Sequence, residues 1–205
     1  MRAILSRSLR VILPLAAILL AGCVRSPEPK FYTLTPVQDQ FIGRRSNPAQ
    51  NAVIGIGPVK LADYLDKSQI VTRTSNEQLV KSEFNRWAGS FKDNFINVLA
   101  DNLGFLLSDQ QIYLYPFRPS IPIDYQITVD VIRCDGRLGD AAYLEARWSI
   151  LQGQEKKLSK MNRSSIREPV TGPNYSDLVA AQSRAVAKLS REIATVLQQI
   201  GRAHV

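Results

Sequence analysis

Two stretches late in the chain constrain its fold most. Tyr125, Ile127, Val129 and Val131 alternate with Gln126, Thr128 and Asp130, and Leu144, Ala146, Trp148 and Ile150 alternate in the same way against Tyr143, Glu145, Arg147 and Ser149. A period of two belongs to half-buried strands, because only there do successive side chains face opposite sides. Asp135-Gly136 with Gly139-Asp140 marks the turn between these strands, and Gln152-Gly153-Gln154 marks the next, leading into Leu158 to Arg167. The simplest connection of the three is an antiparallel meander. Beyond the break from Pro169 to Pro173 the period changes. Val179, Val186, Leu189, Ile193, Val196 and Ile200 recur at helical spacings until Gly201, which predicts a long amphipathic helix covering one face of the sheet.

The upstream half is read by the same rules. Phe31 to Thr35 is aromatic and β-branched and ends at Pro36, Gln38 to Asn51 is polar enough for a loop, and Ala52 to Val59 reads as a second strand. Gly55-Ile56-Gly57 invites a nucleotide-loop reading, but Lys60 stands where a third glycine is needed, so close packing or a bulge in a strand explains these glycines better. Gln69 to Arg73 and Gln78 to Lys81 form a hairpin around Ser75-Asn76. Phe91, Phe95, Val98, Leu99 and Leu103 then share a helical face, with Ser90 and Asp93 as a capping box, Gly104 placed to stop the helix and Trp87 as an aromatic at its entry. Ile112 to Tyr115 is a further strand. This order predicts an α+β fold, a mostly antiparallel sheet covered by two amphipathic helices in a single domain.

The N-terminus is of another kind. Arg2, Arg7 and Arg10 precede an apolar run from Val11 to Ala21 that is too short for a membrane-spanning helix, which takes about 20 residues. That is the pattern of a signal peptide. It ends in Leu20-Ala21-Gly22-Cys23, which resembles a bacterial lipobox, so the expected products are a leader at 1–22, a lipidated N-terminus and tether at 23–30, and a domain at 31–205. The resemblance implies acyl chains on Cys23, and two or more chains hold a protein stably on a bilayer. Pro27 and Pro29 stiffen the tether. Val24 stands where inner-membrane retention signals often show Asp, which favours the outer membrane, with the domain facing the periplasm.

Composition excludes several functions. One histidine, His204, and two cysteines give no zinc pattern and no histidine-based catalysis, and no metal or cofactor is expected. No Gly-x-Ser-x-Gly elbow or Ser-x-x-Lys pair occurs, so the chain is not read as an enzyme. Asp63, Asp66, Asp130, Asp135 and Asp140 form no acid/base or metal pattern, and most of them are read as solvated turn or loop residues. Cys134 has no partner once Cys23 is acylated and reads as a buried small apolar residue. The formal charge falls from +8 to +5 when Arg2, Arg7 and Arg10 leave with the leader, and an exported address disfavours nucleic acid. Lys156, Lys157, Lys160, Arg163 and Arg167 form the main basic cluster, read as a lysine-guarded edge strand, with lipid head groups or an acidic partner as the functional alternative.

One constellation remains: the lipobox cysteine, Phe31-Tyr32-Thr33-Leu34, Gly57-Pro58-Val59, the stretch Tyr64-Leu65-Asp66-Lys67-Ser68-Gln69-Ile70-Val71-Thr72-Arg73, and Arg86-Trp87-Ala88. Together these resemble the PqiC/YmbA family of ABC-type transport auxiliary lipoproteins. Lys67-Ser68 and Gly89-Ser90 depart from the Arg-Pro and Glu-Pro that relatives often show. The resemblance implies a non-catalytic outer-membrane lipoprotein that works with an MCE-domain protein and an inner-membrane ABC transporter carrying lipid between membranes, with a homo-oligomeric ring suggested by relatives. It makes Cys23 the lipidation site and Pro58, Tyr64, Leu65 and Trp87 the family-motif positions, for which fold maintenance and partner contact both stand open. Tyr64 and Leu65 are the preferred exposed apolar contact. The rival reading is a structural or assembly lipoprotein that partners an outer-membrane protein or a lipopolysaccharide machine.

Overall fold

A computed structural model describes residues 27–36, 52–107 and 110–202. The leader, Cys23, the Gln38 to Asn51 segment and His204 lie outside the described residues.

Among the described residues, eight strands and two helices follow in the order β1 (Lys30–Tyr32), β2 (Val53–Leu61), β3 (Gln69–Arg73), β4 (Leu79–Trp87), α1 (Phe91–Leu106), β5 (Gln111–Leu114), β6 (Tyr125–Gly136), β7 (Ala141–Gln152), β8 (Lys157–Pro169) and α2 (Tyr175–Arg202). They make a five-stranded sheet in the order β5-β2-β6-β7-β8 and a three-stranded sheet in the order β1-β4-β3. Helix α1 lies on β2 and β5, α2 lies on β6, β7 and β8, and the two helices pack on each other. The α+β single-domain expectation holds.

The meander β6-β7-β8 is antiparallel, as the alternation and turns predict. The rest corrects the expectation of a mostly antiparallel sheet: β2 pairs in parallel with both β5 and β6, and β1 pairs in parallel with β4. The cause is connection length. A two-residue turn can only reverse a strand, whereas β2 reaches β5 through the β3-β4 hairpin and α1, a crossover long enough to restore the original direction. β2, flanked on both sides, is correspondingly buried on both faces over most of its length.

The parallel arrangement also explains the glycines of β2. The chain leaves β5 on one side of β2 and must begin β6 on the other, so residues 115–124 return across the face of β2 away from the helices. Gly55 makes room for them: a Cβ there would lie 2.5 Å from the Phe117 ring. Gly57 has φ +115, and its Cβ would lie 2.7 Å from the Cβ of Tyr115. The register of β2 against β6 shifts between Ile56 and Val59, so the bulge reading is met. Gly57→Ala combines an unfavourable backbone conformation with a clash, and it is expected to cost about 1–3 kcal/mol in urea unfolding. An unchanged midpoint would mean the crossover segment moves away freely.

Element ends differ from expectation for identifiable reasons. Helix α1 starts as predicted, with the Ser90 side chain accepting from the Asp93 backbone N–H. It runs past Gly104, because burying Leu107 and packing Leu106 on the core outweigh the roughly 1 kcal/mol cost of a helical glycine. β1 stops at Tyr32, since Leu34 turns into the core, where its backbone exchanges hydrogen bonds with the Asn94 side chain. β4 is longer than its apolar start suggests because it pairs on both sides, with β3 and with β1.

Candidate functional surfaces

The family-motif residues do not converge on one site. Pro58 is exposed and follows Gly57 through a cis peptide bond, on the strand beside a second cis bond at Tyr115-Pro116. Gln126 Nε2 donates to the Gly57 carbonyl over 2.7 Å and ties this corner to β6. Between the crossover segment and the β7-β8 turn lies a hollow of about 340 Å³, lined by Tyr115, Phe117, Arg118, Ile123, Gln126 and Lys156. Trp87 is buried at the far end of the small sheet, where its ring stacks on Phe91 at a centroid distance of 4.6 Å and its backbone N–H donates to the Ser68 carbonyl.

Leu65 and Tyr64 correct the expectation of an exposed apolar contact. Leu65 is only 4% exposed and belongs to the core with Ile70, Trp87 and Phe91. Tyr64 is half-buried, and its hydroxyl donates to Asp135 Oδ2 over 2.9 Å. Their loop folds back through the Leu65 N–H donating to the Ala62 carbonyl, which turns both side chains inward. Changing Tyr64 and Leu65 together to serine is therefore a test of stability, expected to cost at least about 2–5 kcal/mol from the buried leucine alone.

Asp135 is the residue that sequence reasoning missed. An acid before a glycine reads as a solvated turn, yet β6 continues through Gly136 and the Asp135 side chain is fully buried. Arg73 holds it from the small sheet, with Nη2 3.0 Å from Oδ2 and Nε 3.2 Å from Oδ1. Arg133, two residues before it on β6, places Nε 2.9 Å from Oδ1 and rests over the Tyr143 ring at 4.1 Å. Arg73 also donates to the Asn76 carbonyl, so one guanidinium links the hairpin turn to β6. The only signal in the sequence is the spacing of Arg133 and Asp135, which puts opposite charges on one face of a strand. The remaining acids are exposed, Asp63, Asp66 and Asp140 in turns and loops and Asp130 on strand β6.

The electrostatics follow from this geometry. Burial alone pushes the Asp135 carboxyl up, but the hydrogen bonds from Arg73, Arg133 and Tyr64 outweigh it and hold the group below the usual carboxylate range. Tyr64 is pushed well above the ordinary tyrosine range, first by burial and then by the Asp135 charge. Burial, with the adjacent Asp135 charge, likewise raises the thiol of Cys134, which is free and fully buried as expected for an apolar residue. With its folded pKa depressed, Asp135 stabilises the fold above the unfolded carboxylate pKa of about 3.9, and that contribution is lost as pH falls through the lowered value. Tyr64 has the opposite sign: its contribution is present in full below the unfolded tyrosine pKa of about 10 and is lost as pH rises from there through the raised folded value. Tyr64→Phe removes one donor to a charged acceptor. It is expected to cost on the order of 1–2 kcal/mol and to flatten the alkaline limb of a stability profile.

The basic cluster is where it was expected. β8 is an edge of the five-stranded sheet, and Lys156, Lys157, Lys160 and Arg163 are all exposed along it. Arg163 pairs with Glu145 at 2.9 Å and Arg167 with Asp140 at 2.9 Å. Between β8 and α2 runs a groove of about 490 Å³, floored by Trp148 and Val196 and rimmed by Arg163, Lys188 and Glu192. Beneath it Trp148 Nε1 donates to Ser164 Oγ over 2.9 Å, and Ser164 bonds Glu192. Lys188 and Arg184 both pair with Glu168. Among the described residues no group of three His, Cys, Asp or Glu side chains comes together to hold a metal ion, and no helix is long and apolar enough to cross a membrane.

The sequence pattern of the ABC-type transport auxiliary lipoprotein component matches residues 32–194, from β1 to the middle of α2. The chain belongs to this family. It is similar to the intermembrane transport lipoprotein PqiC of Escherichia coli K12, with 25% identity over 192 residues that cover 93% of this chain and 97% of the relative. The PqiC of Shigella flexneri matches to the same extent. Among solved structures, an uncharacterised protein matches with a TM-score of 0.69 and 19% identity over 83% of this chain and 99% of its own. A Xanthomonas campestris protein matches at 0.62 and 16% identity over 87% and 99%. These two likenesses establish the fold. As a transport auxiliary lipoprotein, the chain presents surfaces: a cis-proline corner, a basic edge strand and a small sheet locked on by one buried carboxylate.

Proposed function

We propose that this chain is the outer-membrane-anchored, periplasm-facing, non-catalytic auxiliary component of an MCE/ABC-type system that moves lipid between membranes. The observation that carries this reading is its end-to-end similarity to a relative described as an intermembrane transport lipoprotein. The sequence adds the anchor: Leu20-Ala21-Gly22-Cys23 offers a thiol for acylation, and the acyl chains on Cys23 are the only non-protein group the reading requires. The division of labour is physically coherent, since a tethered domain needs no ATP site when the inner-membrane transporter supplies the energy. Its work is contact with an MCE-domain protein, with outer-membrane lipid and, in a ring, with copies of itself.

The anchor is tested directly by mass analysis of the N-terminal peptide from membrane-extracted protein, together with density fractionation of the two membranes. The expected result is an acylated Cys23 at the N-terminus and recovery with the outer membrane, both lost in Cys23→Ala. An unmodified chain that begins upstream of Cys23, or one found wholly with the inner membrane, would overturn this part of the reading.

A further inference from the structure

The three-stranded sheet lies where the tether enters the domain, and it carries a group of exposed apolar side chains that the core does not use. Phe31 on β1 is 61% exposed, Phe84 on β4 is 40% exposed, and Leu79 and Val80 at the start of β4 are exposed as well. Lys30 and Lys81, on the same two strands, are exposed too. These exposed apolar side chains and lysines lie on both faces of β1 and β4, since Leu79 and Val80, like Lys30 and Phe31, are consecutive in their strands. Rings and aliphatic stems with ammonium groups beside them are the composition of a ribbon end that dips into a lipid head-group layer.

Topology places this group on the side of the domain that the anchor reaches. β1 pairs in parallel with β4, with Lys30 opposite Asn85 and Phe31 opposite Arg86. The chain before Lys30 therefore arrives from the direction in which β4 begins, the tip of the β3-β4 hairpin. Leu79 and Val80 stand at that tip, and Phe84 lies two residues before the partner of Phe31. Cys23 precedes Phe31 by eight residues, which span at most about 29 Å even fully extended. Pro27 and Pro29 stiffen part of that span. With the acyl chains on Cys23 in the bilayer, the start of β1 is held within one short tether of its surface, and β4 extends from beside it back toward the hairpin tip.

We infer that the small sheet, through Phe31, Leu79, Val80 and Phe84 with Lys30 and Lys81, is a membrane-docking surface that seats the domain on the head-group layer beside its own anchor. This rests on the lipid-anchor reading above and assigns the contact to a different sheet from the basic edge strand β8. The occupant is lipid because the anchor fixes which surface lies nearest the patch. Docking would orient the domain, so that the five-stranded sheet and the groove beside α2 face away from the membrane.

The test uses the processed, acylated protein extracted from membranes and reconstituted on vesicles of phosphatidylethanolamine with a minor share of phosphatidylglycerol. An environment-sensitive fluorophore is attached at Phe84→Cys, at Leu79→Cys and, as the comparison, at Met161→Cys on β8. Cys134 is buried and does not compete for the label. Brominated lipid should remove most of the emission at positions 84 and 79 and leave position 161 unchanged. The pair of tip variants covers the case in which one misfolds, which a thermal melt reports. Vesicle-bound protein whose tip probes stay unquenched, or are shielded by protein without quenching, would overturn the inference alone, as would quenching at position 161 instead. Protein that does not float with the vesicles would overturn the anchor reading and this inference with it.

Discussion

Asp135→Ala should lower the stability of the domain by about 3 kcal/mol, a loss of roughly 10 °C in melting temperature for a domain of this size. The wild-type carboxylate is fully buried and is met by Arg73, Arg133 and the Tyr64 hydroxyl. Removing it leaves two guanidinium groups facing each other across an empty site. Their side chains are 17% and 24% exposed, so water relieves part of the penalty, which puts the expectation at the lower end of the range for broken buried pairs. The same substitution should flatten the acid limb of the stability profile below about pH 4, where the depressed carboxylate otherwise loses its contribution. Urea midpoints measured from neutral pH to pH 3 check both effects. A change below about 1 kcal/mol with an unaltered acid limb would mean that Asp135 does not hold the small sheet on the large one.

Trp87→Ala is expected to cost about 3–5 kcal/mol, the range for emptying a buried tryptophan site. Trp87 ends β4, stacks on the first residue of α1 and shares the core with Leu65 and Ile70. The cavity therefore opens where the small sheet, the Tyr64 loop and the first helix meet. The measurement decides what the family motif is for. A large midpoint shift assigns Trp87 and Leu65 to fold maintenance, whereas a near-native melt combined with loss of partner recovery would make them contacts after all.

Sequence alone reaches only part of this architecture. The β6-β7-β8 meander was legible because Gly139 and Gly153 punctuate a strict alternation, and α2 because its apolar residues keep helical spacing to Ile200. Strand direction in the upstream half was not legible. β2 carries no mark of being parallel to β5 and β6, because that property belongs to the length of the connections rather than to the residues of the strand. β4 was half hidden, since Asn85 and Arg86 pair with β1 through their backbones while their polar side chains give no strand pattern. The buried charge was invisible for a related reason. Asp135 looks like a turn residue until Arg73, 62 positions earlier, is brought beside it by the packing of one sheet on the other. Conversely, Gly55 and Gly57 mark close packing in the sequence itself, although the segment they admit is visible only in three dimensions.

If the chain serves an intermembrane lipid transport system as its outer-membrane-anchored auxiliary, its transport partners should stay with it through purification. The most direct test is to solubilise the tagged full-length lipoprotein from native membranes and identify the proteins and lipids that purify with it, using Cys23→Ala as the unanchored control. The expected result is recovery of an MCE-domain protein together with its ABC transporter. Recovery of an outer-membrane assembly complex alone, with neither of these, would contradict it.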